Sequence, residues 1–129
     1  MTPADRNIIL IVDDEPIILR MATAALASAG FRVQVAENGL AGLECFLSAA
    51  DEICLVLADI VMPIMGGVEM AEKIVHYRPD VGILLITGYT SRVVGEDTAY
   101  RFPVIHKPFL AEDLIRKVQG LLQTGAGAD

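Results

Sequence analysis

The stretch Ile8-Ile9-Leu10-Ile11-Val12-Asp13-Asp14-Glu15 carries an unbroken aliphatic run and then three acidic residues. A strand with one wet face alternates apolar and polar residues, so an aliphatic run without alternation predicts a strand covered on both faces, as in a parallel sheet. Two other runs have the same character. Ile53-Cys54-Leu55-Val56-Leu57-Ala58 ends at Asp59, and Val81-Gly82-Ile83-Leu84-Leu85-Ile86 ends at Thr87-Gly88. Arg32–Ala36 and Val104–His106 supply shorter strands nearer the edges.

Helical patterns separate these runs. Ile18, Ala22, Ala25 and Leu26 recur at helical spacing before Gly30; Leu40, Leu43 and Leu47 do so after Gly39; Val68, Ala71, Ile74 and Val75 do so before Pro79. In the last helix Leu110, Leu114, Val118 and Leu121 share one face, Glu112, Asp113, Arg116 and Lys117 are left for solvent, and the expected end is near Gly120. Residues 91–101 have weak periodicity and are expected to form a short helix. Strands alternating with helices require parallel pairing and right-handed crossovers, hence an α/β, open, doubly wound fold. The domain is expected over residues 8–122, with residues 1–7 as a lead-in and residues 123–129 as a disordered tail.

The chain has 129 residues, enough for one domain with a real core. Its 10 Lys and Arg against 17 Asp and Glu give a net charge of −7, which argues against direct nucleic-acid binding. Mean hydropathy is high at +0.51, yet no apolar run approaches the roughly 18 to 20 residues of a membrane span. No signal-peptide pattern opens the chain, and two cysteines, Cys45 and Cys54, make no disulfide framework. A cytoplasmic location is expected, with both cysteines acting as small buried hydrophobes.

In an open parallel sheet, ligands bind outside the carboxyl ends of the strands, where the winding reverses. Asp13-Asp14-Glu15, Asp59, Thr87 and Lys107 all fall at such ends. Each has an ordinary explanation alone: Asp14 as the N-cap of a helix beginning near Pro16, Asp59 as a turn residue, Thr87 as a strand end, Lys107 as a surface charge. Independent capping does not predict their conjunction on four strands. Three carboxylates within roughly 6 Å repel by about 3 kcal/mol per pair at an effective dielectric near 20. Such a cluster calls for protonation or a cation, and an all-oxygen site suits Mg²⁺ completed by a phosphate oxygen.

At these residues the sequence resembles the receiver domain of two-component response regulators. The resemblance rests on Val12-Asp13-Asp14-Glu15, on Asp59-Ile60-Val61-Met62-Pro63-Ile64-Met65-Gly66-Gly67, on Thr87, and on Lys107-Pro108-Phe109. It implies a flavodoxin-like (βα)5 sheet in the order 2-1-3-4-5. It further implies that Asp59 accepts a phosphoryl group from a phosphohistidine on a sensor histidine kinase or phosphotransfer protein. Mg²⁺ would be held by Asp13, Asp14, Asp59 and the Val61 backbone carbonyl, with Thr87 and Lys107 contacting the phosphoryl oxygens. The signal would pass to a downstream protein target through the face of the fourth helix, fifth strand and fifth helix, and a homodimer of this chain would form through the same face. These 129 residues contain no separate output segment, so output is expected through protein contacts.

Three positions depart from the family pattern. Val104 stands where an aromatic residue often reports the switch; Gly88 replaces the usual alanine; Tyr89 occupies the position that tunes access of hydrolytic water, and with Val61 it flanks the site without a water-orienting acid or amide, predicting a comparatively long-lived phosphoaspartate. An aspartate-nucleophile phosphohydrolase is the competing enzyme reading, but the acid it commonly carries two residues after the nucleophile is Val61 here. A flavodoxin-like nucleotide binder would need an anion-binding loop where Asp13-Asp14-Glu15 lies. His76 is expected to be solvated, His106 to tune the charge beside Lys107, and Met62 and Met65 to pack within their loop.

Overall fold

Strands β1 (Ile8–Val12), β2 (Arg32–Ala36), β3 (Ile53–Asp59), β4 (Gly82–Thr87) and β5 (Val104–His106) form one parallel sheet in the order β2-β1-β3-β4-β5. They belong to a computed structural model that describes residues 7–88 and 101–126. The helices among the described residues are α1 (Pro16–Ser28), α2 (Gly39–Ser48), α3 (Gly67–Tyr77) and α4 (Ala111–Ala126). The helix expected over 91–101 falls, apart from Arg101, outside the described residues, as does Tyr89.

The missing polar alternation in the strands is explained by two cores. Ile8, Leu10 and Val12 face a cluster with Phe46 of α2 and Met70, Ala71 and Ile74 of α3. Ile9 and Ile11 face the opposite cluster, with Ala22, Ala25 and Leu26 of α1 and Leu114 and Val118 of α4. Alternate side chains thus go to different helical layers, and neither set meets water. Each fully buried aliphatic side chain contributes about 1.5–3 kcal/mol to this arrangement.

Helix α1 begins at Pro16, whose fixed φ suits a first helical turn. It ends where Gly30 takes φ +99° and the N–H groups of Gly30 and Phe31 donate to the carbonyls of Ala27 and Leu26. This paired closure needs a left-handed residue, which glycine supplies without strain. The Lys107–Pro108 peptide is cis.

Two helix readings need correction. In α2 the buried residues are Gly39, Gly42 and Phe46, while Leu40 and Leu47 are exposed. The helix is apolar nearly all round, so spacing could not select a face; backbone clearance did. A Cβ on Gly39 would lie 2.2 Å from the Met65 carbonyl oxygen, and one on Gly42 would lie 2.8 Å from Val12 Cγ2. In the last helix Leu114 and Val118 are buried and Leu121 packs against them, but Leu110 precedes the helix and is 63% exposed.

That helix also passes through Gly120 to Ala126, beyond the expected stop and into the expected tail. Nothing lies within 4 Å of a Cβ at Gly120, so the glycine faces open space and costs only about 1 kcal/mol of propensity. Leu121 and Leu122 packing on the core draw the helix onward. A further contact had no sequence signal: the Arg78 guanidinium donates to the carbonyls of Ala50 and Ile53 and lies 5.6 Å from the Phe46 ring centroid.

Candidate functional site

The sheet order changes direction between β1 and β3, and the site is at their carboxyl ends. Val12 pairs with Ala58, which sets Asp13 beside Asp59. Asp13 is fully buried and Asp59 nearly so, whereas Asp14 is exposed. Carboxylate oxygens of the three all lie within 4.8 Å of one another.

The N-cap of α1 is Glu15, without a side-chain capping bond, so the capping explanation for Asp14 does not hold. Asp13 Oδ1 accepts from the Glu15 backbone N–H at 2.8 Å. Its Oδ2 is buried and has no hydrogen-bond partner among the described residues. Burial pushes the Asp13 carboxyl up to about 6, with the Asp59 and Glu15 charges adding to the rise and the Glu15 N–H and Lys107 opposing it.

Asp59 faces two ways. Its Oδ1 accepts from the Val61 N–H at 3.0 Å, the turn role expected of it alone. Its Oδ2 accepts from Lys107 Nζ at 3.1 Å. Lys107 also donates to Glu15, so it is no freely solvated surface charge. Burial works against its ammonium, but the hydrogen bonds to Glu15 and Asp59 outweigh that cost and hold its pKa well above the usual lysine value. The motif included Glu15, but sequence reasoning gave its side chain no role.

Thr87 is buried, and its Oγ1 lies 2.8 Å from His106 Nδ1. This neighbour was also missed, because His106 was read only through its adjacency to Lys107. Val104 is half-buried and packed into the core beside α2 and α3. The Val61 side chain is exposed.

The remaining candidates are not brought to the site. Cys45 and Cys54 are half-buried free thiols packed on opposite faces of the sheet. They donate to Gln34 Oε1 and the Ile8 carbonyl, and burial raises the pKa of both. His76 is exposed on α3. Met62 and Met65 pack against the core at the loop after β3. No described helix is long and apolar enough to cross a membrane.

Chemically, the cluster fits a hard divalent cation. Its donors are all carboxylate oxygens, and the buried unpartnered Asp13 Oδ2 needs a positive partner. Lys107 supplies one fixed positive charge in contact with Asp59 Oδ2. An anionic group entering here would meet that ammonium at a short distance.

Comparison with known proteins gives the same direction. The model of the response regulator receiver domain matches residues 9–119. The response regulator receiver protein CpdR of Brucella abortus (strain 2308) is 34% identical over 116 residues, 88% of this chain and 95% of CpdR. Further curated relatives are longer, and the chain spans 12% of one and 50% of another. A CheY-like receiver domain protein from Methanospirillum hungatei JF-1 superposes with a TM-score of 0.85 at 29% identity, covering 95% of this chain and 98% of that one. The response regulator protein TrrA of Thermotoga maritima, crystallised in complex with Mg(2+)-BeF, matches with a TM-score of 0.79 at 33% identity over 89% of this chain and 98% of its own.

Proposed function

This chain belongs to the response regulator receiver domain family of two-component signal transduction, and we propose that Asp59 is its phosphoacceptor. The observation that carries the reading is the placement of Asp59 between two kinds of charge. One oxygen is held by Lys107 at 3.1 Å, and the carboxylates of Asp13 and Asp14 lie within 4.8 Å.

In the proposed reaction an Asp59 carboxylate oxygen attacks the phosphorus of a phosphohistidine on a sensor histidine kinase or histidine phosphotransfer protein. The new O–P bond forms as the P–N bond breaks, and the electron pair leaves with the imidazole. Lys107 neutralises charge on the transferring oxygens, and the Thr87 hydroxyl offers a donor to one of them. Most of the catalysis is positioning and electrostatics, because the carboxylate and ammonium are already set in place. Asp13, Asp14, Asp59 and the Val61 carbonyl would hold Mg²⁺, which when bound supplies Lewis-acid stabilisation of the phosphoryl oxygens. The Mg(2+)-BeF complex of TrrA supports that choice of ion.

The resulting acyl phosphate is read by a downstream protein target through a face that includes β5 and α4, the face proposed also for a homodimer. The work is that of a switch in the cytoplasm, without contact to nucleic acid or membrane. A turnover phosphohydrolase is disfavoured by Val61, whose aliphatic side chain offers no general acid.

Intact-mass measurement after incubation with acetyl phosphate tests the reading. A phosphoryl adduct that requires Mg²⁺ and disappears in Asp59→Asn is expected. No adduct on the native chain, or an adduct that survives in Asp59→Asn, overturns it. Sustained release of phosphate over many turnovers would instead identify a hydrolase.

A further inference from the structure

We propose that His106 is a positioning residue for the Thr87 hydroxyl and the moving reporter of the switch; the inference rests on the phosphoacceptor reading of Asp59. Its basis is the 2.8 Å approach of Thr87 Oγ1 to His106 Nδ1. Thr87 is only 2% exposed, so its hydroxyl has little access to water and depends on a protein partner. His106 itself is exposed and lies at the end of an edge strand.

The pairing is built by the sheet. Thr87 and His106 are direct partners in the parallel register of β4 and β5. The Lys107 N–H donates to the Thr87 carbonyl at 2.8 Å, locking that register at the residue where it matters. Leu85 and Val104 pack into the cluster with α2 and α3, so Thr87 and His106, each two residues further on, point to that same face. The next side chain, Lys107, reaches Asp59. Consecutive residues of one strand end therefore hold the hydroxyl and the acceptor carboxylate.

A hydroxyl has one hydrogen to donate. We assign that hydrogen to the contact with Nδ1 in the resting chain, which withholds it from any group on Asp59. When a phosphoryl group is present, the hydroxyl turns to its oxygen and Nδ1 loses its donor. The exposed imidazole then changes partner and orientation. Val104 cannot report in this way, since its side chain has no polar atom and is packed into the core. His106 connects the buried hydroxyl to the protein surface instead.

The test combines nitrogen NMR of the imidazole with rates of adduct formation from acetyl phosphate in Mg²⁺. In the native chain the His106 Nδ1 resonance shifts as the adduct appears. His106→Phe removes the acceptor and speeds adduct formation by about 3- to 10-fold, the rate equivalent of one hydrogen bond. His106→Asn, which restores a polar atom near the Nδ1 position, returns the rate toward native. In a Thr87→Ala background His106→Phe has no effect, because the two act through one contact. An adduct with an unmoved imidazole resonance overturns this inference alone, as does a His106→Phe effect equally large without the Thr87 hydroxyl. Absence of any adduct on the native chain overturns it together with the phosphoacceptor reading.

Discussion

Gly67 opens helix α3 directly against the backbone of Asp59: a Cβ placed on it would lie 2.2 Å from the Asp59 carbonyl oxygen. The Gly67 N–H also donates to the Ile60 carbonyl at 3.0 Å, closing the loop that follows β3. The start of α3 and the position of Asp59 are therefore one steric unit.

Gly67→Ala must push the loop off the end of β3. The expected cost is about 2 kcal/mol of stability, in the range of overpacking a tight contact. Urea denaturation measures it, and the same variant forms the phosphoryl adduct more slowly because Asp59 shifts against Lys107. An unchanged denaturation midpoint would show that the backbone accommodates the methyl group.

Asp13 makes the stability of the metal-free chain depend on pH. Its carboxyl is raised from 3.8 to about 6, so the folded state holds a proton that the unfolded state has released in that window. Stability from this group is fully present below the unfolded value and is lost as pH rises through the folded one, by at most about 3 kcal/mol. Denaturation in chelator at pH 4 to 7 measures the slope. Asp13→Asn flattens it and raises metal-free stability at pH 7, while weakening the response to Mg²⁺.

Lys107 and Glu15 separate the two ends of one ion pair. Lys107→Met removes the ammonium from Asp59 and slows adduct formation by about 100-fold, as expected for a fixed electrostatic donor. Glu15→Gln removes only an exposed partner, whose pairing contributes under about 1 kcal/mol. Its adduct rate stays within about threefold of native. Equal losses in the two variants would mean that Glu15, rather than Lys107 itself, sets the geometry.

Ile64 sits at φ +70° with its side chain 77% exposed. A β-branched residue in the left-handed region is strained, whereas asparagine tolerates it, and little packing is lost here. Ile64→Asn is therefore expected to stabilise the chain by about 1 kcal/mol. Thermal denaturation checks the sign, and a lower midpoint would mean that Ile64 makes contacts worth more than its strain.

Much of this site was legible because strand ends are written in composition. The aliphatic run before Asp13 and the one before Asp59 have the length and branching of strands with both faces covered, and charge begins where they leave the core. Lys107 followed the same logic on β5. The face of α2 was not legible, because its leucines and glycines are all compatible with burial and the choice fell to the clearance between Gly39 and the Met65 carbonyl. The run of the last helix past Gly120 was equally hidden, since a glycine stops a helix only if packing beyond it is absent.

By itself the sequence determined the class of fold, the order of the chemical groups and the rim on which they meet, since periodicity and charge are local and need only neighbouring residues. Tertiary structure alone decided which groups touch. The Glu15 contact to Lys107 and the Thr87–His106 pair join residues from different elements, and the burial that leaves Asp13 Oδ2 without a partner comes from the surrounding fold. The sheet's strand register and the turn after β1 bring them together. A hydrogen bond is a matter of tenths of an ångström, and that precision is set only when the strands have been laid side by side.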